Sequence, residues 1–186
     1  QSSLTIEDYL IRNDGSAGKL VVDMLSGSFR FATGDSAKNR YLINTPTGTI
    51  GVRGTGFDVF VDAITGLTRI LLYHGRVRYC SEAGDCVEIA DFCDVGQFDA
   101  KIAELMGNST TTTGEARAEL KQQFIYSDNE AALLSQFRID HAYECLHKAP
   151  NGGPDNTDSG PTEGTEVPDI ITDGGNVAPG GGGTTQ

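Results

Sequence analysis

Four cysteines, Cys80, Cys86, Cys93 and Cys145, are the residues of this 186-residue chain whose spacing points most directly to a chemistry. Metal sites usually contain close C-x-x-C pairs, and none occurs in the sequence. Cys80 and Cys86 flank the turn-rich sequence SEAGD between two strand-like runs, which predicts a hairpin with the two thiols close enough to be bridged. Cys93 and Cys145 would then pair by elimination. Four free thiols and a zinc site are the alternatives, whereas disulfides are typical of an exported protein.

A glycine-rich stretch, INTPTGTIGVRGTGFDVFVD at 43–62, resembles a nucleotide-binding loop at first sight. A phosphate-binding loop of the Walker type needs G-K-[ST] leading into a helix, but here no lysine follows the glycines and FDVFVD alternates like a strand. Gly51, Gly54 and Gly56 are therefore interpreted as turn or bulge positions. Pro46 lacks an amide donor and suits a strand start or an edge. Arg53 is expected to be held internally by carbonyls or a carboxylate.

The remaining polar residues give little support for catalysis. No G-x-S-x-G nucleophile motif occurs in the chain. His74, His141 and His147 fall in a strand-like run, on a helix face and at a helix end, without a paired motif. Asp58 and Asp62 lie four apart on one face of a strand and are interpreted as a solvated face. The sequence therefore predicts a protein that is not an enzyme and has no cofactor or metal.

The charge of the chain limits its partners. The net charge is −12 and the pI is about 4.5, so a basic face for nucleic acid or an anionic membrane is not expected. No apolar run is long enough to span a bilayer. The chain opens on Gln1 rather than Met, which is consistent with a leader having been removed.

The composition divides the chain into three parts. Residues 1–106 contain short runs rich in Val, Ile, Thr, Phe and Tyr, separated by turn signals, which predict seven or more strands and an all-β domain. Residues 113–148 have helical spacing at Ala116, Leu120 and Phe124. A capping box at 127–130 then precedes a predicted helical face formed by Leu134, Phe137, His141 and Cys145.

Residues 149–186 form an acidic tail rich in Gly and Pro, with six acidic residues and no basic one. Such a composition predicts disorder in isolation. The segment EVPDIIT is the exception, and its residues Val167, Ile170 and Ile171 are predicted to add a strand to a sheet edge. The acids at Asp155, Asp158 and Glu163 lack the spacing of a calcium loop.

The pattern T-P-x-x-x-x-G-V-R-G-T-x-F-x-V, followed by TRILLYHGRVRY and a later VGQ, resembles the FecR domain family over about residues 2–100. The residues that carry the motif are Thr45, Pro46, Gly51, Arg53, Gly54 and Thr55. In that family the motif is architectural, in agreement with the interpretation of the glycines. The resemblance implies a solenoid-like or roll-like β domain outside the cytoplasm of a bacterium.

The resemblance leaves two functions open. The family members that relay a signal carry a cytoplasmic segment and a membrane helix, which are not recognised here. The upstream β repeats of exported members are also not recognised, so either an N-terminal part has been cut away or the missing strands come from another copy. A domain without its leading strands is expected to have an unpaired sheet edge. We therefore expect an exported, non-enzymatic structural subunit that assembles with copies of itself into a filament through strand addition by the tail. The alternative is an extracytoplasmic protein-binding or signalling module that docks an envelope receptor.

Overall fold

The computed structural model describes residues 2–11, 17–32 and 41–148, so the tail with Val167, Ile170 and Ile171 lies outside the described residues. Eight strands form the main part of this structure, and three short α-helices follow them. The strands are β1 (Ser3–Ile11), β2 (Ala17–Ala32), β3 (Tyr41–Thr45), β4 (Gly48–Val61), β5 (Thr68–Ser81), β6 (Cys86–Ile89), β7 (Asp94–Phe98) and β8 (Ala103–Asn108). The helices are α1 (Gly114–Gln123), α2 (Ile125–Asp128) and α3 (Glu144–His147).

The strands belong to one sheet in the order β1-β2-β3-β4-β5-β7-β8, with β6 also paired to β5. Neighbouring strands pair antiparallel, except for the parallel pair β2–β3. The prediction of a β domain is confirmed. A solenoid or roll is not confirmed, because stacked coils would need repeated parallel pairing and β2–β3 is the single parallel pair among the described strands.

The long strands change partners along their length. The first part of β2 pairs with β3, and residues 27–32 of β2 pair with β4. The first part of β5 pairs with β7, and residues 77–80 pair with β6. We call residues 56–61 of β4 with 68–74 of β5 the covered half of this strand pair. Residues 48–53 with 76–81 are the bare half.

A reversal of side-chain phase separates the two halves. In β4, the buried core contains Ile50 and Val52 before the glycines and Phe57 and Val59 after them. Val52 and Phe57 are five positions apart, whereas a regular strand returns to the same face only after an even number of residues. Register shifts on either side of Gly56 show that β-bulges supply the missing residue. The bulges therefore keep both apolar sets on the inner face.

Strand β5 contains the same reversal. Leu72 and Val77 both lie in the inner core although they are five positions apart. Gly75 lies between them with φ +83°, and a Cβ there would come within 2.2 Å of the carbonyl oxygen of Gly54. The glycines of both strands thus meet at one point, which is the boundary between the covered and the bare half.

Residues 109–148 form a second layer on the outer face of the covered half. A second core joins Leu71 and Tyr73 of β5 to Leu120, Phe124 and Leu146 of this layer. The run TRILLY at 68–73 is therefore buried on both faces, which explains why apolar residues follow one another in RILLY without strict alternation. Within the described residues, no helix has the length and apolar character needed to cross a membrane.

The second layer differs from the helix predicted after the capping box. The serine hydroxyl of Ser127 donates to the carbonyl of Ala142 instead of capping, and Glu130 binds Arg30 of the sheet. Leu134, Phe137 and His141 are exposed rather than inward-facing, and only Cys145 of the predicted face is buried. Tertiary contacts at both ends of this segment override its local helical pattern.

Helix α1 confirms the helical spacing before the capping box, with Leu120 and Phe124 buried and Ala116 exposed. Its buried polar residues are Arg117 and Gln123, neither of which the sequence analysis singled out. The guanidinium donates to the carbonyls of Thr110, Thr112 and Lys148 at 2.8–3.0 Å. Arg117 thus closes the two ends of the second layer against each other.

Both predicted disulfides are confirmed. Cys80 and Cys86 are directly opposite in the β5–β6 hairpin of the bare half, with their Cα atoms 4.1 Å apart. Cys93, in the turn before β7, is joined to Cys145 of α3 across a sequence separation of 52 residues. The second bridge ties the second layer to the sheet.

Candidate functional site

The Thr-Pro part of the motif forms a tight turn that is held by the protein core. Pro46 and Thr47 are the two turn residues between β3 and β4. The hydroxyl of Thr47 accepts a hydrogen bond from Tyr79 at 2.7 Å and lies 3.3 Å from the hydroxyl of Thr68. Thr45 donates to the carbonyl of Gly48. Thr47, which the sequence analysis did not select, is therefore the residue that anchors the turn.

The glycines of the motif have different roles. Gly54 has φ +62°, a conformation that favours glycine. A Cβ on Gly56 would lie 2.5 Å from Nε2 of His74, so the imidazole would have to shift to admit a side chain there. A Cβ on Gly51 would meet only the carbonyl of Arg78 at 3.7 Å, so the structure shows no such requirement at this position. Thr55 is buried between the bulge glycines.

Four polar side chains form an anchor cluster, Arg30, Asp58, Tyr73 and Glu130, between the covered half and the second layer. Arg30 and Asp58 are paired directly in the β2–β4 register. The Arg30 guanidinium donates to both Asp58 oxygens at 2.7 and 3.0 Å and to Glu130 at 2.7 Å. Tyr73 donates to Asp58 at 2.6 Å. The side chains of Arg30 and Asp58 are only 5% and 1% exposed.

The environment of the anchor cluster changes its acid–base properties. Burial raises the pKa of Asp58, and the hydrogen bonds from Arg30 and Tyr73 oppose that rise. Burial lowers the pKa of Arg30, but the hydrogen bonds to Asp58 and Glu130 outweigh it and leave the pKa raised. Burial also raises the pKa of Tyr73 well above its ordinary value. Arg30 is thus a fixed cation that joins the sheet to the second layer.

The interpretation of Asp58 and Asp62 as a solvated face is wrong for Asp58, because the second layer covers it. Asp62 is instead an exposed turn residue whose carboxylate accepts from the amides of Ile64 and Thr65. A usable signal was present in the sequence. SFRF and FDVF each contain one charged residue at an alternating position of an apolar strand, and opposite charges favour cross-strand pairing.

The bare half presents a different surface on the same side of the sheet. We call this surface, formed by Leu42, Gly51, Arg76, Arg78 and Glu88, the arginine face. It lines a cleft of about 350 Å³. Arg76 forms an ion pair with Glu88, and their side chains are 59% and 48% exposed. Among the described residues none forms an ion pair with Arg78. Arg53 is paired with Arg76 in the β4–β5 register, but its side chain lies outside what the structure describes.

A second cleft, of about 600 Å³, lies beside the anchor cluster at the margin of the second layer. His74 of β5 and His141 of the second layer both line it, with Phe92 and Ile139. The imidazole of His141 is engaged with the carboxylate of Glu144 at 2.7 Å. In the part of the chain that the structure describes, no three His, Cys, Asp or Glu side chains are placed to hold a metal ion.

The family comparison matches the segment that contains the bulges and the arginine face except for Glu88. Residues 1–78 match the family described as FecR protein. The resemblance to the FecR family is confirmed. The FecR match ends inside β5, short of the residue near 100 expected from the sequence, and leaves out the second layer. No curated protein matches the sequence.

Two crystal structures of candidate anti-sigma factors from Parabacteroides distasonis are similar to this chain. The first has 11% sequence identity and a TM-score of 0.40, and the similarity covers 66% of this chain and 76% of that one. The second has 12% identity and a TM-score of 0.38, with 62% and 69% covered. At these TM-scores the likeness carries no argument about function.

Proposed function

We propose that this protein is an extracytoplasmic, non-catalytic regulatory module that binds another protein through the bare half of its FecR sheet. The observation that carries the proposal is the difference between the two halves of the β4–β5 pair. The second layer covers one outer face, whereas the other leaves Arg76, Arg78 and Leu42 exposed within the FecR-matching segment. An exposed face that mixes arginine with an apolar side chain is typical of a protein-binding surface.

The polar groups that could support catalysis have structural partners instead. Asp58, Tyr73 and Arg30 are joined to one another in the anchor cluster. The four cysteines form two disulfides, so none is a thiol nucleophile. These engagements favour a binding function over a catalytic one.

The two disulfides support a location outside the reducing cytoplasm. A FecR segment in such a location fits the expectation of an envelope or secreted regulatory protein. Nothing in residues 2–11, 17–32 and 41–148 supports assembly into a filament. The strand proposed for that role, with Val167, Ile170 and Ile171, lies outside the described residues.

Site-specific photo-crosslinking in the producing cell tests the proposal. A photoreactive lysine analogue, which retains a positive charge, replaces Arg78 on the bare half. A matched variant carries it at Ile64, which is 94% exposed in the β4–β5 turn at the opposite end of the strand pair. We expect position 78, but not position 64, to crosslink to a different protein that mass spectrometry can identify. Crosslinks from position 78 to copies of this chain alone would support self-association instead, and equal crosslinking at both positions would contradict the proposal.

A further inference from the structure

Arginines on the outer face of the sheet, where the second layer covers it, form ion pairs with acidic residues of that layer. The guanidinium of Arg30 in β2 forms an ion pair with the carboxylate of Glu130 in the second layer, with an N–O distance of 2.7 Å. The guanidinium of Arg69 in β5 forms an ion pair with the carboxylate of Glu119 in α1, also with an N–O distance of 2.7 Å. In both cases the sheet contributes the guanidinium and the covering segment contributes the carboxylate. The complementary partner of this face, within the molecule itself, is therefore a segment that presents acidic side chains.

The bare half also presents arginine side chains on its outer face, but no covering segment of the described chain supplies carboxylates to them. Val77 and Tyr79 are buried in the inner core, so Arg76 and Arg78 alternate with them on the outer face. Leu42 of β3 is 40% exposed and contributes an apolar contact to the same cleft. Glu88 neutralises one of the two guanidinium groups, and Arg78 is left as the cation without an acidic partner among the described residues. No segment of the described chain covers this face.

We propose that the arginine face binds an acidic segment of a partner protein, which occupies the position that the second layer occupies on the covered half. This inference rests on the proposed function and specifies the chemistry of the partner. Arg76 and Arg78 are two residues apart on a strand, so their Cα atoms are separated by roughly 7 Å. Carboxylates at positions i and i+2 of an extended segment, or at i and i+4 of a helix, have a comparable spacing.

Charge complementarity favours a peptide over other anionic partners. Nucleic acids and anionic membranes need several neighbouring cations, because each phosphate contact adds to the affinity. The arginine face has two described cations and one carboxylate, Glu88, which is opposite Arg78 in the β5–β6 register and forms an ion pair with Arg76. The whole chain has a net charge of −12. A short acidic segment needs only Arg78 and the exposed part of Arg76 as partners, whereas two guanidinium groups, one of them paired with Glu88, are too few for a continuous polyanion.

The binding experiment uses the full chain and a fluorescein-labelled peptide of ten residues in which glutamate alternates with threonine. The matched probe has glutamine in place of each glutamate. Fluorescence anisotropy is measured at low and physiological salt, since exposed charge pairs are screened over about 8 Å at 0.15 M. We expect the glutamate peptide to bind at least tenfold more tightly than the glutamine peptide, and the difference to shrink with salt.

Two double variants locate the site. R76E/R78E should reduce binding of the glutamate peptide at least tenfold, and R76Q/R78Q should have a smaller effect of the same sign. The control K101E/K148E changes the net charge equally at exposed lysines outside the arginine face. All three should remain folded at the assay temperature, because the substituted side chains are exposed and the loss of an exposed ion pair costs only about 0.2–1 kcal/mol. Equal losses in R76E/R78E and K101E/K148E would show an effect of overall charge and overturn the inference.

Two further outcomes would also overturn it: no preference of the wild-type chain for the glutamate peptide, or tighter binding to phosphatidylglycerol vesicles than to the peptide. The crosslinking experiment separates this failure from failure of the proposed function. A partner captured at position 78 that does not bind through acidic residues would retain the protein-binding role and remove only the acidic specificity.

Discussion

The covered and bare halves of the β4–β5 pair use the same kind of Arg–carboxylate contact in opposite environments. Arg30 and Asp58 are buried beneath the second layer, whereas Arg76 and Glu88 lie at the surface. Each half is also next to one disulfide, Cys93–Cys145 for the covered half and Cys80–Cys86 for the bare half. The residue types are alike, so the covering segment decides whether such a pair belongs to the scaffold or to the surface.

The largest difference is expected when methionine replaces Arg30, which pairs with Asp58 of the covered half, and Arg76 of the bare half. Arg30→Met leaves the buried carboxylates of Asp58 and Glu130 without their cation, and removal of one partner of a buried ion pair costs about 3–5 kcal/mol. Arg76→Met removes an exposed pair, for which about 0.2–1 kcal/mol is expected. Urea unfolding of both variants measures the two values. Similar losses would contradict the distinction between the halves.

The two disulfides should differ in the same direction. Chain-entropy arithmetic gives about 4 kcal/mol for a loop of about 50 residues and about 2 kcal/mol for a loop of about six. The variant C93S/C145S should therefore lose about twice as much unfolding free energy as C80S/C86S. In native-state proteolysis the first should release residues 109–148 from the sheet, and the second should leave them protected. Cleavage of that segment at the same rate in both variants would show that the disulfide does not hold the second layer.

The sequence predicted the features that depend on neighbours in the chain. The β5–β6 hairpin with its disulfide, the strand after the glycines and helix α1 all follow from local pattern and turn chemistry. The positive φ of Gly54 also agrees with the bulge interpretation. Gly51 was grouped with it because all the glycines of the motif were treated alike, and sequence does not reveal which glycine faces a close backbone contact.

The features that sequence analysis missed depend on residues far apart in the chain. Asp58 is buried because Glu130 and Arg30 approach it, and these residues are separated by 100 positions. Ser127 and Glu130 form a correct local capping pattern, but each has a stronger tertiary partner. The arginine face was missed for a related reason. Arg76 and Arg78 form an exposed face only because the second layer ends before it covers them, and the extent of that layer cannot be read from the local sequence.

A smaller contrast is expected when two buried tyrosines of β5 lose their hydroxyls. Tyr73 of the covered half donates to the carboxylate of Asp58, and a hydrogen bond to a charged group contributes about 1.5–3 kcal/mol. Tyr79 of the bare half donates to the neutral hydroxyl of Thr47, for which about 0.5–1.5 kcal/mol is expected. Tyr73→Phe should therefore destabilise more than Tyr79→Phe in urea unfolding. The reverse order would mean that the hydrogen bond from Tyr79 to Thr47 contributes more to the free energy of unfolding than the hydrogen bond from Tyr73 to Asp58.

Alanine at two glycines of the motif gives the last contrast. Gly54, at the boundary between the halves, has φ +62°, and a left-handed conformation costs an alanine about 1–2 kcal/mol. Gly51, in the bare half, lacks a positive φ, and a Cβ there meets no atom closer than 3.7 Å. Gly51→Ala should leave the stability within about 0.5 kcal/mol of wild type. Thermal unfolding of the two variants makes the comparison.

The functional consequence should follow the same distinction. Gly54→Ala strains the bulge that sets the side-chain phase. This variant should therefore lower the melting temperature but leave the affinity of the folded protein for the glutamate peptide unchanged. Gly51→Ala adds a methyl group to the floor of the arginine face, where it can weaken peptide binding at unchanged stability. If Gly54→Ala unfolds at the wild-type temperature, the bulge does not need glycine at that position. The phase reversal between the two halves would then depend on Gly75 and Gly56. A Cβ added at either glycine would lie closer than 3 Å to a neighbouring atom.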